Sequence, residues 1–390
     1  MNSRFNSNNL IGGLIALVLI AIGSALFFFR HQPIPVEEPT VVEAPAPDAE
    51  DAFNTITPAT DQTLSQVARI HNIHNAPAMD SSEKTELELL RETIDWSDAP
   101  SPAPELVRTD DYDVYINVTK EYLMYVFDKW GYTGDKIDSG DTEAIPPLLV
   151  VSISKGWSDD ETVQFKKSIF YRVILTLVLY ENEAVIRERE KILAILETRG
   201  DDGTFPADQM ERLNHLAYSY RVIKDETADT LTEAQIQDLL TRVDMVPPSL
   251  ALAQAAHESG YATSRFAYTA NALFGQWDWS ADAIKPEQQR EGMGNYGIKS
   301  FNQPIDSVRA YIWNLNTHPA YAGFRKERAA QRGGQQGRLT LDSKKLADTL
   351  TSYSERGTEY TEELKSTISH NRLDRADHLR LIEGEPVYFH

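Results

Sequence analysis

A glutamate at the end of an apolar stretch is the residue of this chain whose setting most favours chemistry. Residues 250–256 are almost wholly apolar or small, and Glu258 follows them, two positions before Gly260. Pro247-Pro248 suits a helix start and Gly260 suits a left-handed helix end, so the pattern predicts a buried helix with Glu258 in its last turn. Apolar surroundings and the negative end of the helix dipole both oppose ionisation of a carboxyl there. A carboxyl that keeps its proton can act as general acid on a glycosidic oxygen. The alternative interpretation is a glutamate that simply points into solvent.

The segment after this helix is rich in aromatic residues. Aromatic faces stack on sugar rings, and polar groups between them bind hydroxyls and acetamides. Any one aromatic is more often a core residue, but the group beside a glutamate at a helix end indicates a glycan groove. The aromatics between residues 261 and 313 include Trp277, Trp279, Tyr296, Phe301 and Tyr311.

Other chemistries are excluded by residue type and spacing. The chain has no cysteine, which removes disulfides, thiolate metal sites and cysteine nucleophiles. His257-Glu258 is not a zinc motif, because Tyr261 stands where the second histidine should be. His71 and His74 have no third ligand candidate nearby and are interpreted as solvated. No Gly-x-Ser-x-Gly elbow is present, and we expect neither a metal nor a cofactor.

The charge and the N-terminal hydropathy indicate which partners the chain has. A net charge of −21 and a pI near 4.8 do not attract phosphate backbones, so we expect no nucleic-acid partner. Residues 10–29 are uncharged and apolar or small, about the length that crosses a bilayer core of roughly 30 Å. We expect an uncleaved transmembrane signal anchor in the bacterial inner membrane. A cleaved signal peptide is the rival, but no convincing small-residue cleavage site precedes the polar stretch.

The remaining composition predicts the domain organisation. Residues 1–9 would be a cytoplasmic leader, and residues 30–104 an acidic, Pro-rich, disordered linker with a possible short helix. Residues 105–241 would form a helical scaffold, with helices at 111–130, 208–224 and 232–243 and a long helix that Ser158 caps and Gly200 stops. Residues 242–385 would form the catalytic domain, in the periplasm. The predicted fold class is therefore mainly α, with one transmembrane helix.

Several short motifs resemble, in the right order, the glucosaminidase family of peptidoglycan hydrolases. Residues 247–256, 274–277, 314–321 and 353–357 are similar to its bacterial Bax-type branch. The similarity is strong over roughly residues 240–375. The motifs are Ala253-Gln254-Ala255-Ala256-His257-Glu258-Ser259-Gly260, Thr263-Ser264-Arg265 and Asn271-Ala272-Leu273-Phe274-Gly275.

The resemblance implies a lysozyme-like helical fold and a set of site residues. It implies that Glu258 is the general acid and that Tyr360 is a functional tyrosine near the domain's end. Many family members carry a second acidic residue, for which Glu291 is the weak choice among Asp278, Asp282, Glu287 and Glu291. The expected substrate-binding residues are Gln254, Ser264, Asn271, Phe274, Gly275 and Trp277.

The expected activity is hydrolysis of β-1,4 bonds in peptidoglycan glycan strands, on the reducing side of N-acetylglucosamine, as the resemblance implies. Two alternatives stay open: a lytic transglycosylase on the same fold, and a non-enzymatic glycan-binding scaffold of the envelope. The Lys and Arg cluster at residues 325–338 is interpreted as a solvated loop, or else as a contact to peptidoglycan carboxylates.

Overall fold

The computed structural model describes Val67 and residues 84–109, 112–226, 230–278, 280, 283–285 and 296–390. The predicted leader, transmembrane segment and most of the linker lie outside these residues, as do Trp279 and Glu291. Within the described ranges, no helix is both long and apolar enough to cross a membrane.

The described part of the chain is mainly helical, as predicted. Its α-helices are α1 (Glu86–Glu92), α2 (Lys120–Lys129), α3 (Gly134–Ser139), α4 (Val163–Glu197), α5 (Ala207–Ser219), α6 (Glu233–Arg242), α7 (Pro248–Ser259), α8 (Arg265–Ala270), α9 (Pro304–Thr317), α10 (Ala322–Arg332), α11 (Ser343–Asp348) and α12 (Thr358–His370). Two short 3₁₀ helices cover Pro319–Tyr321 and Leu373–Ala376.

Short strands form three small sheets. The largest has the order β1 (Glu105–Arg108), β2 (Asp113–Ile116), β8 (Val387–Phe389) and β4 (Leu148–Val150). The first pair is antiparallel, and β8 runs parallel to both β2 and β4. The other two sheets pair β3 (Ala144–Ile145) with β7 (Arg380–Leu381), and β5 (Trp277–Asp278) with β6 (Gly297–Ile298).

Two predicted helix starts were wrong. The expected helix at residues 111–130 begins as strand β2, whose side chains alternate between partial and full burial. Asn117 then takes a positive φ of 62°, and the Thr119 side chain caps α2 by accepting from the Tyr122 backbone N–H. The long helix α4 begins after Thr162 rather than Ser158, because Thr162 supplies the capping oxygen.

The regions predicted as scaffold and catalytic domain share one hydrophobic core. The residues that the structure describes between 84 and 390 form one compact unit, and the main core cluster takes side chains from both sides of residue 242. Helix α4 is the reason, because it packs against α7, α9 and β4 together. Only its C-terminal end leaves this core, to form a smaller cluster with α5 and α6.

The basic cluster at residues 325–338 is largely internal, so its interpretation as a solvated or glycan-contacting loop was wrong for three arginines. Arg325, Arg328 and Arg332 are buried. Arg332 binds Asp244 through two hydrogen bonds of 2.5 and 2.6 Å. Arg328 donates to backbone carbonyl oxygens between residues 241 and 245. Arg328 and Arg332 therefore hold the segment that leads into helix α7, whereas Arg325 donates to the carbonyl oxygens of Leu315 and His318.

Candidate active site

Helix α7 places Glu258 as the sequence pattern predicted. Pro248 occupies its first turn, and Gly260 ends it in the left-handed conformation with a φ of 58°. Every residue from Pro248 to Ala256 is buried, whereas Glu258 is partly exposed. Burial raises the pKa of Glu258 to about 6, above the ordinary value of 4.5. The carboxyl thus lies at the boundary between the core and the surface.

Tyr360, in the first turn of helix α12, is the hydrogen-bond partner of Glu258. Its hydroxyl donates to Glu258 Oε1 over 2.9 Å, and the ring is 3% exposed. Burial and the neighbouring Glu258 charge raise the pKa of Tyr360 above its usual range. Tyr360 therefore keeps its hydroxyl proton and can donate it in a hydrogen bond to Glu258. This hydrogen bond lowers the pKa of Glu258, against the effect of burial.

The second carboxylate oxygen of Glu258 lies against Gly275. This glycine has a φ of +60°, and a Cβ built on it would stand 3.1 Å from Glu258 Oε2. A glycine is required both by the left-handed backbone and by the close approach. Asn271 anchors the same loop, since its side-chain amide donates to the backbone carbonyls of Phe301 and Asn302.

Two buried side chains continue the hydrogen bonds behind Tyr360. Gln254, on the inner face of α7, donates from Nε2 to Tyr360 Oη over 3.0 Å. The Tyr311 hydroxyl, on α9, donates to Gln254 Oε1 over 2.7 Å. Gln254 and Tyr311 are both 0% exposed. Sequence reasoning named Tyr311 only as one of many aromatics and missed this connection.

A stack of tyrosines forms the wall beside Tyr360. The rings of Tyr353 and Tyr360 are parallel, with centroids 5.8 Å apart, and Tyr321 lies next to Tyr353. The Tyr353 hydroxyl donates to the Phe274 carbonyl over 3.2 Å. Burial and the charge of Glu258 raise the pKa of Tyr353 and Tyr321, so both remain neutral. Tyr353 and Tyr321 were not predicted as site residues, although both lie in segments that carried the family resemblance.

Two residues predicted to bind substrate have buried side chains. The Phe274 ring is 1% exposed and stacks on Tyr311 at a centroid distance of 3.9 Å. Gln254 is fully buried. These side chains support the site from inside the core, and substrate binding by either residue stays a prediction.

The other predicted site residues have different placements. Ser264 caps helix α8 by accepting from the Ala267 backbone N–H, and Asn271 ends the same helix. Trp277 is 39% exposed and stacks on Tyr296 at 5.1 Å, so part of its indole is open to solvent. Glu291 is not among the described residues. Over the described ranges, no group of three or more His, Asp or Glu could hold a metal ion.

Comparison with known proteins identifies the class of protein to which this site belongs. Residues 233–373 match the glucosaminidase family model, which is described as mannosyl-glycoprotein endo-beta-N-acetylglucosaminidase. This segment contains Glu258, Tyr360 and the loop around Gly275, and the match supports a glycoside hydrolase.

The similarity extends beyond that domain. The chain is 29% identical over 214 residues to Protein bax of Escherichia coli (strain K12), which covers 55% of this chain and 73% of that protein. The resemblance inferred from the motifs, to a Bax-type protein with a glucosaminidase domain, is thereby confirmed. No solved structure matches the chain significantly.

Proposed function

We propose that this glycoside hydrolase cleaves β-1,4 bonds of peptidoglycan glycan strands as an N-acetylglucosaminidase, with Glu258 as the general acid. The observation that carries the proposal is the setting of Glu258. Its carboxyl has a pKa raised to about 6 and a neutral tyrosine on Oε1. A partly exposed carboxyl in this state can hold a proton and deliver it to a leaving group.

The two oxygens of Glu258 have different roles in this mechanism. Oε1 accepts the Tyr360 hydroxyl, so the transferable proton belongs on Oε2, on the side where Gly275 carries no side chain. Proton transfer from Oε2 to the glycosidic oxygen accompanies cleavage of the bond between that oxygen and the anomeric carbon. Water then attacks the anomeric carbon and gives a proton back to the Glu258 carboxylate, which restores the acid and leaves a reducing sugar end.

The nucleophilic half of the reaction is proposed to rest on the substrate. Among the residues that the structure describes, the recorded interactions of Glu258 involve no second carboxylate. The acetamide of the sugar can then assist departure of the leaving group, or a tyrosine can orient the water. A lytic transglycosylase, in which a sugar hydroxyl attacks and an anhydro end forms, is the second candidate that the single carboxyl favours.

We propose Trp277 as the aromatic platform for a sugar ring. It follows Gly275 by two residues, begins strand β5 and is the exposed member of its stacked pair with Tyr296. Apolar sugar faces stack on such indoles.

We further propose that residues 10–29 anchor the chain in the inner membrane and that the catalytic domain acts in the periplasm, because this run is uncharged and apolar.

The test is release of sugar fragments from purified peptidoglycan by the full-length chain and by Glu258→Gln. We expect release by the wild type, with products ending in reducing N-acetylglucosamine. The variant is expected to be about 10²–10⁴-fold slower, because it lacks the acid proton. It should melt no lower than wild type at pH 7, since it removes a buried charge.

Mass analysis separates the possible outcomes. Anhydro-sugar ends would replace the hydrolase proposal by the lytic transglycosylase. Equal release by wild type and Glu258→Gln would remove Glu258 from the mechanism. Folded protein that binds glycan strands without releasing fragments would indicate the envelope scaffold instead.

A further inference from the structure

Three hydrogen bonds connect Glu258 to the centre of the core. They run from the Tyr311 hydroxyl to Gln254 Oε1 over 2.7 Å, from Gln254 Nε2 to Tyr360 Oη over 3.0 Å, and from the Tyr360 hydroxyl to Glu258 Oε1 over 2.9 Å. The first two residues are fully buried, so water does not compete for these groups. We name this set the Tyr311–Gln254–Tyr360 relay.

The relay has a direction, and the amide of Gln254 sets it. An amide oxygen only accepts hydrogen bonds and an amide nitrogen only donates them, whereas a tyrosine hydroxyl does both. Within the described residues, Gln254 Oε1 is the acceptor recorded for the Tyr311 hydroxyl. This bond turns the amide nitrogen of Gln254 toward Tyr360. Tyr360 therefore accepts a hydrogen bond from Gln254 Nε2 and donates its own to Glu258 Oε1.

We infer that Tyr311 and Gln254 are positioning residues that hold Tyr360 as a one-way donor to Glu258 Oε1 and thereby keep the acid proton on Oε2. Because the Tyr360 hydroxyl accepts from Gln254 and points its own proton at Oε1, a proton on Oε1 finds no acceptor there. This inference rests on the proposed role of Glu258 as the general acid.

Without the Tyr311 hydroxyl, Gln254 Oε1 loses the donor that keeps the amide nitrogen of Gln254 turned toward Tyr360. The Gln254 amide could then turn over and accept from Tyr360 through its oxygen. Tyr360 would in turn accept from a protonated Glu258 Oε1, so the proton would sit on the oxygen that faces Tyr360 rather than on the one beside Gly275. The ionised carboxylate would also lose part of its donor, and the pKa of Glu258 would rise.

The other ionisable groups around Glu258 do not provide this effect. Tyr321 and Tyr353 interact with its charge, but the hydroxyl of Tyr353 is bonded to the Phe274 carbonyl. His257, the preceding residue, turns its ring to Thr367 and lies 3.8 Å from Glu363, which pairs with Arg356. Tyr353 thus offers a matched control, because its ring also stacks beside Tyr360 while its hydroxyl lies outside the relay.

The experiment compares Tyr311→Phe with Tyr353→Phe in the full-length chain. Glutamate is labelled with ¹³C at the side-chain carboxyl, the Glu258 signal is assigned by its loss in Glu258→Gln, and each variant is titrated by NMR. We expect Tyr311→Phe to raise the pKa of Glu258 by roughly 0.5–1 unit, the size of one hydrogen bond, and Tyr353→Phe to leave it unchanged. In turnover, Tyr311→Phe should lower kcat with little change in KM.

A double-mutant cycle supplies a second test, so the inference does not rest on Tyr311→Phe alone. In a Gln254→Leu background, Tyr311→Phe should cause no further change in the pKa of Glu258, because Tyr311 acts through Gln254. The inference is overturned by an unchanged pKa in Tyr311→Phe, by equal shifts in both tyrosine variants, or by additive shifts in the cycle. The titration needs no turnover, so a chain that releases no sugar refutes the proposed function while the relay is still judged by its own pKa data.

Discussion

Tyr360 and Glu258, 102 residues apart in the chain, meet through one hydrogen bond of 2.9 Å that opposes the effect of burial. Burial raises the pKa of Glu258, the Tyr360 hydroxyl lowers it, and the result is about 6. This balance keeps a useful fraction of the carboxyl protonated in mildly acidic solution. It also makes the acidity of the site sensitive to a single hydroxyl.

The pH dependence of activity should follow Glu258. A general acid works only while it carries its proton, so kcat/KM for peptidoglycan fragments should fall as the pH rises through about 6. An acid with the ordinary pKa of 4.5 would already be lost at lower pH. Initial rates between pH 4 and pH 9 measure this fall, which is the alkaline limb of the pH profile. A rate that stays constant up to pH 8 would contradict the assignment.

Removal of the Tyr360 hydroxyl should move the alkaline limb of the pH profile to higher pH. In Tyr360→Phe the carboxylate loses its donor, so the pKa of Glu258 rises by roughly one to two units, the size of a hydrogen bond to a charged group. We expect kcat to fall at the same time, because Oε1 is no longer held. Tyr353→Phe is the control, since its hydroxyl binds the Phe274 carbonyl. A limb that does not move in Tyr360→Phe would show that the bond is not made in solution.

Gly275→Ala should separate backbone strain from steric contact with the acid. A φ of +60° costs a non-glycine residue about 1–2 kcal/mol, and the new Cβ would lie 3.1 Å from Glu258 Oε2. Displacement of the carboxyl should lower kcat by roughly 10²-fold. Gly333→Ala is the matched control, because its φ is +56° and its nearest atom is 3.9 Å away. Urea unfolding should show similar losses of stability, with activity lost in Gly275→Ala alone.

Trp277→Ala should weaken glycan binding without affecting the acid. Loss of one stacking face is worth about 0.5–1.5 kcal/mol, which corresponds to a rise in Kd of roughly 3- to 10-fold. Calorimetric titration of glycan fragments into Glu258→Gln, with and without Trp277→Ala, measures this directly. Trp277→Phe keeps an aromatic face and should retain most of the affinity. If all three proteins bind equally, the proposed platform is refuted.

The buried charge at Asp244 should control stability rather than catalysis. Asp244→Asn leaves Arg332, Arg328 and Arg189 buried without their counter-charge, which should lower the free energy of unfolding by roughly 3–5 kcal/mol. Asp238→Asn is the control, because the Asp238 side chain is exposed and its i,i+4 pair with Arg242 is worth less than about 1 kcal/mol. Thermal and urea unfolding measure both. Equal losses would mean that the cluster carries no special stability.

The sequence by itself determined the helix that carries the acid. This helix starts at Pro248, ends at Gly260 and buries its apolar face. Each of these features is local, because it depends on residues that are close in the sequence. The family motifs likewise lie in short contiguous segments, so Glu258 and Tyr360 could be named together. The same local rules failed at residues 111–130, because a strand of four residues carries little periodic signal.

Only the tertiary structure decided what surrounds the acid. Strand β8 inserts between β2 and β4 although more than two hundred residues of sequence separate it from them, and no local pattern specifies such a pairing. The same holds for Tyr311 and Gln254, which join Tyr360 from two other helices. Arginine is a residue type usually found at the surface, so the sequence alone does not indicate that Arg328 is buried. Its carbonyl partners are visible only in the folded chain. Hydrogen bonds between distant segments depend on packing, and packing is a property of the whole core.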